Sequence, residues 1–437
     1  MPYDMIIGRD EEDKKKFGKE GSIFLGKGYV RMGQTTSLSN NIFLDVNKPH
    51  VILVAGKRGS GKSTTLSVMA EEMASLPEEL NKKISFLLFD TMGIFWTMKY
   101  GNERQKDLLA EWDLEPKNFD IKIYTPTGFH DTYKQKGLPS DYKFSIKTKE
   151  LGASDWCITF GVSLTSSHGV LIEKSIKSLK KKESFSIQDI INVIREDKTA
   201  DQNVKNAVEN RFVAADGWGL FEEYGTEIKD LIKPGQASVI DLSPYTSIAG
   251  NWSIKGLVVG IISRKLIEDR ITYRKYEELD DIRGHASLTY TGETEEPLIW
   301  VLIDEAHELL PKEGKTSATD SLVQLLREGR QPGISLVLAT QQPGEIHKDV
   351  LTQSDIVISH RLTSKIDIEA LNSMMQTYLL SDVQRYMNEL PDLKGSALVL
   401  DDNSERIYPI RVHPKMSWHG GETPSVLKVK KELFKEL

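Results

Sequence analysis

The chain has 437 residues, 39% of them hydrophobic and 8% aromatic, with a formal net charge of −7 and a pI of about 5.8. That composition suits a soluble globular protein of one large α/β domain with insertions, or roughly two or three domains, and argues against a general nucleic-acid coat protein while leaving room for a ring whose basic residues line only an inner channel. A single cysteine, Cys157, excludes an internal disulfide framework and any cysteine-rich metal site. No run approaches bilayer-spanning length, and Met1–Lys16 is too charged for a signal peptide, so a cytoplasmic protein with no membrane partner is expected.

Residues 1–46 read as a short N-terminal β region. Met1–Glu20 is a charge-rich, peripheral lead-in, and Ser22–Val30 and Asn41–Val46 are short strands that make a small hairpin cap. Residues 47–142 form the first part of the core. Val51–Ala55 is a short apolar run of the kind that forms a buried parallel strand. It leads into Gly56-Lys57-Arg58-Gly59-Ser60-Gly61-Lys62-Ser63, a full match to G-x-x-x-x-G-K-[ST], and from Lys62 the pattern turns helical, with Leu66, Met69, Ala70 and Met73 on one face. Strand, glycine loop and helix together cradle a phosphate: the loop's N–H groups converge on one anion and the helix N-terminus adds partial positive charge. Residues Gly56–Thr64 are therefore the expected nucleotide contacts. Lys62 reaches the β- and γ-phosphates, and the Ser63 hydroxyl takes one Mg²⁺ position.

Ile84–Phe89 is a second apolar strand, and it ends in Asp90, an acid at the ligand-binding edge expected to orient metal-bound water or the lysine. Ile121–Tyr124 is a third strand, and Pro126–Tyr142 is turn-rich. Residues 143–233 read as a helical insertion, with Val170–Leu179, Ile187–Arg195 and Val204–Phe212 at helical spacing. Its basic run, Lys174, Lys177 and Lys180–Lys182, either touches phosphates or is a solvated face. Residues 234–412 complete the core. Gln236–Leu242 is a strand, Ile254–Ile267 an apolar helix and Tyr276–Glu296 an acid-rich surface loop.

Leu298–Ile303 is a buried strand that delivers Asp304 and Glu305. This is the second half of an ATP-hydrolase site, in which Asp304 holds Mg²⁺ through a water and Glu305 polarises the attacking water as general base. The glutamate favours hydrolysis over phosphoryl transfer to a small molecule. Ala318–Arg327 is an amphipathic helix, and Ile334–Ala339 is a strand with Gln341 beyond its tip, placed to sense the γ-phosphate. Asp355–Ser359 is the last buried strand, with Arg361 at its end. Hydrolysis needs further positive charge on the transferring oxygens, and Arg327, Arg330 and Arg361 are the arginines available for it, in the same subunit or across a subunit boundary. Leu371–Met387 is helical, and Ser396–Leu400 with Ile407–Val412 is a hairpin. Residues 413–437 form a C-terminal arm with a terminal helix over Val426–Leu437 and Trp418 as an anchor against the same or a neighbouring subunit.

The fold class is thus a P-loop NTPase of the RecA/ASCE-like α/β type, with a mainly parallel central sheet. Beyond that, GKRGSGKS (56–63), IDLS (240–243), VLIDEAH (301–307), LREGRQPGISLVLATQQP (326–343), ISHR (358–361) and SWHGG (417–421) together resemble the HerA/FtsK superfamily of ring-forming ATPases, the HerA branch in particular. The resemblance implies a hexameric homo-oligomer that threads double-stranded DNA through its channel, with ATP and Mg²⁺ as cofactors and a nuclease as partner. It carries Lys62, Ser63, Asp304, Glu305 and Gln341 over as nucleotide-site residues and Arg330 as a charge stabiliser. Two features depart from it. The β-barrel domain that usually precedes the phosphate loop is expected to be missing or reduced to a hairpin, and Ile94 stands where an acidic residue follows Gly93. The alternative reading is an ATP-gated protein-remodelling ATPase that does not track DNA.

Overall fold

A computed structural model of the chain describes residues 4–32, 35–247, 253–285, 296–374 and 380–420. Among them a 13-stranded sheet runs through the whole protein. From the centre outward on one side lie Val51–Ala55, Ile334–Thr340, Leu298–Ile303, Ile84–Asp90, Ala237–Asp241, Ile121–Pro126 and Tyr142–Phe144, every neighbouring pair parallel. On the other side Ile356–His360 is also parallel to Val51–Ala55. Ser396–Asp401, Arg406–Val412, Ser22–Met32 and Thr35–Asp45 then continue the sheet antiparallel.

Side-chain alternation along these apolar strands divides the interior into two cores, one on each face. Val51, Leu53 and Ala55 enter one, with Phe89, Trp156, Phe212, Val258 and Leu322; Ile52 and Val54 enter the other, with Leu66, Met69, Leu25 and Leu44. The helix Lys62–Ala74 covers the second face, while the helical insertion and the helices Ile254–His285 and Thr319–Glu328 cover the first. In the insertion, Ser186 and Asp189 form a reciprocal capping box at the start of Ile187–Glu196, and Trp156 packs on Phe212 at 4.9 Å between ring centroids.

Several expectations are corrected. The lead-in is not peripheral: Met5–Ile7 pairs with Ile42–Leu44, Glu11–Phe17 is a helix capped by Asp10, and the hairpin joins the central sheet through Arg406–Val412. Asp355–Ser359 is not the last buried strand, because every residue of Ser396–Asp401 is buried as well. Within Pro126–Tyr142, Thr127–Gln135 is helical and closes on Gly137, whose φ of 72° provides the left-handed turn. The apolar helix does not stop near Ile267 but spans Ile254–His285. Residues 272–283 contain no glycine or proline, and Arg274 pairs with Glu277 and Glu278 one turn on. The centre of the Leu371–Met387 stretch and all of Val426–Leu437 lie outside the described residues.

The N-terminal region is locked to the sheet by a buried chain of charges. Arg9 Nε donates to Asp45 Oδ1 at 2.8 Å, Asp45 Oδ2 lies 3.2 Å from His50 Nε2, and His50 Nδ1 lies 2.7 Å from Asp355 Oδ2. Arg330 closes the chain against Asp355. Burial by itself would push the His50 pKa down, but the bonds to Asp355 and Asp45 raise it to about 9. That is above the roughly 6.5 of an unfolded histidine. The imidazolium thus contributes stability that is fully present below about pH 6.5 and is lost as the pH rises through about 9, on the order of 3 kcal/mol in total. Denaturant unfolding between pH 6 and 10 is expected to follow that loss, and His50→Gln is expected to flatten it.

Residues 413–420 lie against the core. Lys415, Met416 and Ser417 are buried, and the Trp418 backbone donates to Tyr100 O at 2.6 Å and accepts from Thr97 Oγ1 at 2.9 Å. The attachment within the chain is made by this backbone and by Ser417, while Trp418 stays 40% exposed and does not anchor the arm on its own subunit. Among the described residues no helix is long and apolar enough to cross a membrane.

Candidate active site

The parallel strands bring their C-terminal ends to one edge of the sheet, and the candidate site is assembled there. The loop after Val51–Ala55 wraps into Lys62–Ala74 with Gly61 at φ 122°, a conformation open to glycine. Gly56 passes so close to the next strand that a Cβ would stand 2.7 Å from His360 Cβ. Arg58 and Gly59 are at the exposed tip, Lys57 N donates to Arg361 O at 3.0 Å, and Ser60 Oγ bonds back to Lys57 O at 2.8 Å. Thr64 stands half-buried in the first helical turn. The Lys62 ammonium rests 3.3 Å from Lys57 O, its pKa lowered by burial against the pull of Glu305 and Asp304.

Leu298–Ile303 lies two strands from the phosphate-loop strand and places Asp304 against the helix start. Ser63 Oγ donates to Asp304 Oδ2 at 2.7 Å, and Asp304 Oδ1 accepts Glu305 N–H at 2.9 Å. Burial pushes the Asp304 carboxyl up. This hydroxyl–carboxylate pair is the type of oxygen set that hard divalent cations take. Glu305 itself sits at φ 52°, ψ 45°, a left-handed conformation that costs a non-glycine residue about 1–3 kcal/mol and is characteristic of functional positions. Gln341, at the end of the strand between the two, donates to Glu305 Oε1, leaving Oε2 buried without a hydrogen bond among the described residues. The sequence expectation for Lys62, Ser63, Asp304, Glu305 and Gln341 is one cluster, and the structure brings them together.

Two predicted residues are placed otherwise. Asp90 is a loop organiser: its carboxylate accepts backbone N–H from Met92, Gly93, Ile94 and Phe95 at 3.2, 2.7, 3.1 and 2.8 Å. Burial, with Asp241 alongside, pushes it up to about 7. With both oxygens engaged by its own loop it is not aimed at nucleotide. Arg330 precedes its strand, so it lies at the amino edge, roughly 17 Å of strand away from the phosphate loop of the same chain. There Nη2 contacts Asp355 Oδ1 at 3.2 Å and Gln353 O at 3.0 Å. It cannot stabilise charge in its own site. Arg327, bound to Asp349 at 2.6 Å, belongs to the helix before the same strand. Arg361 does lie at the carboxyl edge, beside Lys57, in an exposed pair with Asp392 at 2.7 Å.

Sequence reasoning missed two histidines here. His307 Nδ1 lies 3.5 Å from Glu305 Oε2 and 3.3 Å from Thr340 Oγ1; its position two residues after Glu305 was the available signal. His360 Nδ1–H donates to Ser396 O at 3.0 Å, leaving Nε2 to accept from Thr65 Oγ1 at 2.8 Å. Burial holds its pKa near about 4, so it stays neutral and fixes the second turn of the phosphate-loop helix.

Comparison with known proteins agrees with this geometry. The family profile described as "Helicase HerA, central domain" matches residues 30–265, and that described as "Helicase HerA-like C-terminal" matches residues 284–413. A "Probable DNA double-strand break repair helicase HerA" of Methanocaldococcus jannaschii is 32% identical over 386 residues, 79% of this chain and 69% of that protein. The "DNA double-strand break repair helicase HerA" of Pyrococcus furiosus is 26% identical over 231 residues, 47% of this chain and 40% of that protein. The match thus spans less than half of the P. furiosus relative. Among solved structures, VirB4 of Thermoanaerobacter pseudethanolicus superposes with a TM-score of 0.55 at 12% identity, covering 91% of this chain and 97% of that one. The bacterial conjugative coupling protein TrwB gives 0.53 at 12% identity, covering 94% of each chain. These two share the fold. With both HerA profiles matched in order, and the phosphate loop, Asp304, Glu305 and Gln341 assembled on one sheet edge, the chain belongs to the HerA family of P-loop ATPases.

Proposed function

We propose that this protein hydrolyses ATP in an oligomeric ring, with a hexamer as the expected size, and uses the cycle to move along or remodel double-stranded DNA. The observation that carries the hydrolytic part is Glu305, held by Gln341 in a left-handed backbone conformation beside Lys62 and Asp304. Water positioned by Glu305 attacks the γ-phosphorus while the bond from that phosphorus to the β–γ bridging oxygen breaks and ADP leaves. The carboxylate takes the water's proton, and Lys62 with the loop N–H groups bears the charge that builds on the phosphoryl oxygens. The Ser63–Asp304 pair, hydroxyl on carboxylate at 2.7 Å and buried on the acid side, fits Mg²⁺. Ser63 and Asp304 would hold Mg²⁺, which would supply positive charge to offset the charge of the transferring phosphoryl group.

The DNA part rests on the relatives named as DNA double-strand break repair helicases. The site is incomplete in one subunit, since Arg330 stands at the opposite edge, and a neighbouring copy that presents its own Arg330 supplies the missing charge. A nuclease partner belongs to this reading too. One observation favours the alternative of an ATP-gated protein remodeller. Two of the five lysines in the insertion's basic run are paired with acids of the insertion itself, Lys174 on Asp197 at 2.5 Å and Lys182 on Asp189 at 3.1 Å, in a chain of net charge −7.

Steady-state ATPase with and without duplex DNA, on protein sized by light scattering, separates the two. The motor predicts severalfold stimulation that fades as salt rises. ATPase activity unchanged by DNA at low salt would favour the remodeller.

A further inference from the structure

The amino edge of the sheet carries an arrangement that a surface ion pair does not need. Arg330 is 46% exposed at its side chain, while behind it Asp355, His50, Asp45 and Arg9 are 8%, 3%, 1% and 1% exposed. Charge alternates along this file: guanidinium, carboxylate, imidazolium, carboxylate, guanidinium. Asp355 is its hinge. Oδ1 accepts the Val51 N–H at 2.8 Å and faces Arg330 Nη2 at 3.2 Å, while Oδ2 accepts His50 Nδ1–H at 2.7 Å. The Asp355 backbone N–H also donates to Val51 O at 3.0 Å, so Asp355 and Val51 are joined twice. Val51 opens the strand that ends at Ala55, against the phosphate loop. Five residues of buried strand thus connect the phosphate loop to Asp355.

We propose that Asp355 and His50 are positioning residues for Arg330, fixing the guanidinium this chain offers to a neighbouring copy's nucleotide and tying it to the start of its own phosphate-loop strand. The proposal rests on the reading that Arg330 acts across the subunit boundary. A long exposed side chain loses rotamer freedom each time it acts, and a carboxylate held rigidly from behind removes much of that cost in advance. His50 bridging two carboxylates is what keeps Asp355 in a single orientation.

Mixed oligomers test this. An Arg330→Ala chain keeps an intact site but has no arginine to give, and a Glu305→Gln chain has a dead site but still presents Arg330. Mixing the two before assembly is expected to restore ATPase activity that neither has alone. Adding His50→Gln to the Glu305→Gln chain is expected to lower the restored kcat by about tenfold, since even small misplacement of a charge stabiliser is costly, with KM little changed. Adding it to the Arg330→Ala chain is expected to leave the restored rate within about twofold. Asp355→Asn, which keeps an oxygen for Val51 N–H, is expected to give the same asymmetry and serves if His50→Gln melts early. Equal losses in both placements, or a loss only in the Arg330→Ala chain, would assign these residues a structural role and overturn the proposal. Absence of any restoration in the simple mixture would instead refute the trans reading of Arg330, and the proposal with it.

Discussion

Glu305→Gln is expected to lower kcat for ATP hydrolysis by about 10²- to 10⁴-fold, the usual contribution of a positioned general base. Nucleotide affinity is expected to stay within about threefold, because Glu305 acts on the attacking water and not on the phosphates. The amide is isosteric and keeps a carbonyl oxygen for the Gln341 bond, so the left-handed turn at position 305 survives. Lys62→Ala should do the reverse and lose nucleotide binding outright, since Lys62 is the buried cation of the phosphate loop. Isothermal titration with a non-hydrolysable nucleotide, beside steady-state rates, separates the two variants. A Glu305→Gln protein that hydrolyses at near wild-type rate would remove the glutamate from the chemistry.

Glu71→Ala is expected to destabilise the fold by about 3–5 kcal/mol, the cost of leaving several buried donors without their acceptor. Glu71 lies on the phosphate-loop helix and is fully buried. It accepts from Met416 N at 2.7 Å, Ser417 N at 3.3 Å and Ser417 Oγ at 2.5 Å. Lys415, 4% exposed, points at the same helix, with Nζ 3.3 Å from Ser67 Oγ. Residues 415–417 thus strap the helix that begins at Lys62, and removing the carboxylate strands the strap's N–H groups and the Ser417 hydroxyl. Glu71→Gln, which retains one acceptor, should cost less, about 1–3 kcal/mol. Urea midpoints of the two variants check the order. No change in either would show that the strap contributes nothing to the helix it holds.

What was legible in the sequence shared one property: it was local. The phosphate loop announces itself because strand, glycines and helix must be contiguous, and Asp304-Glu305 because a buried parallel strand is a short apolar run with the acids at its end. The insertion's helices follow from three-and-four spacing, and Leu298–Ile303 is a strand with the bounds its hydropathy suggests. Long-range polar pairs left no such trace. His50 and Asp355 are 305 positions apart, and Glu71 meets Ser417 across 346. The motif offers Arg330 as a charge stabiliser without giving its edge, although strand direction carries that information. A residue that precedes a parallel strand lies at the amino edge, and a phosphate loop follows its strand. Asp90 looked like a ligand because acids at strand ends often are, and only the four N–H groups of its own loop show what it holds. Tyr276–Glu296 reads as a surface loop or hairpin because its polar sequence offers no core to bury, whereas the helix runs on to His285.

The central claim is that ATP hydrolysis at Lys62, Asp304 and Glu305 drives movement along duplex DNA. Displacement of a protein block from one end of a linear duplex, followed with ATP, with a non-hydrolysable analogue and with Glu305→Gln, tests it most directly. Displacement is expected with ATP alone, and is expected to be absent with the analogue and in the variant. Robust, Glu305-dependent hydrolysis in the presence of the duplex with the block left in place would contradict it.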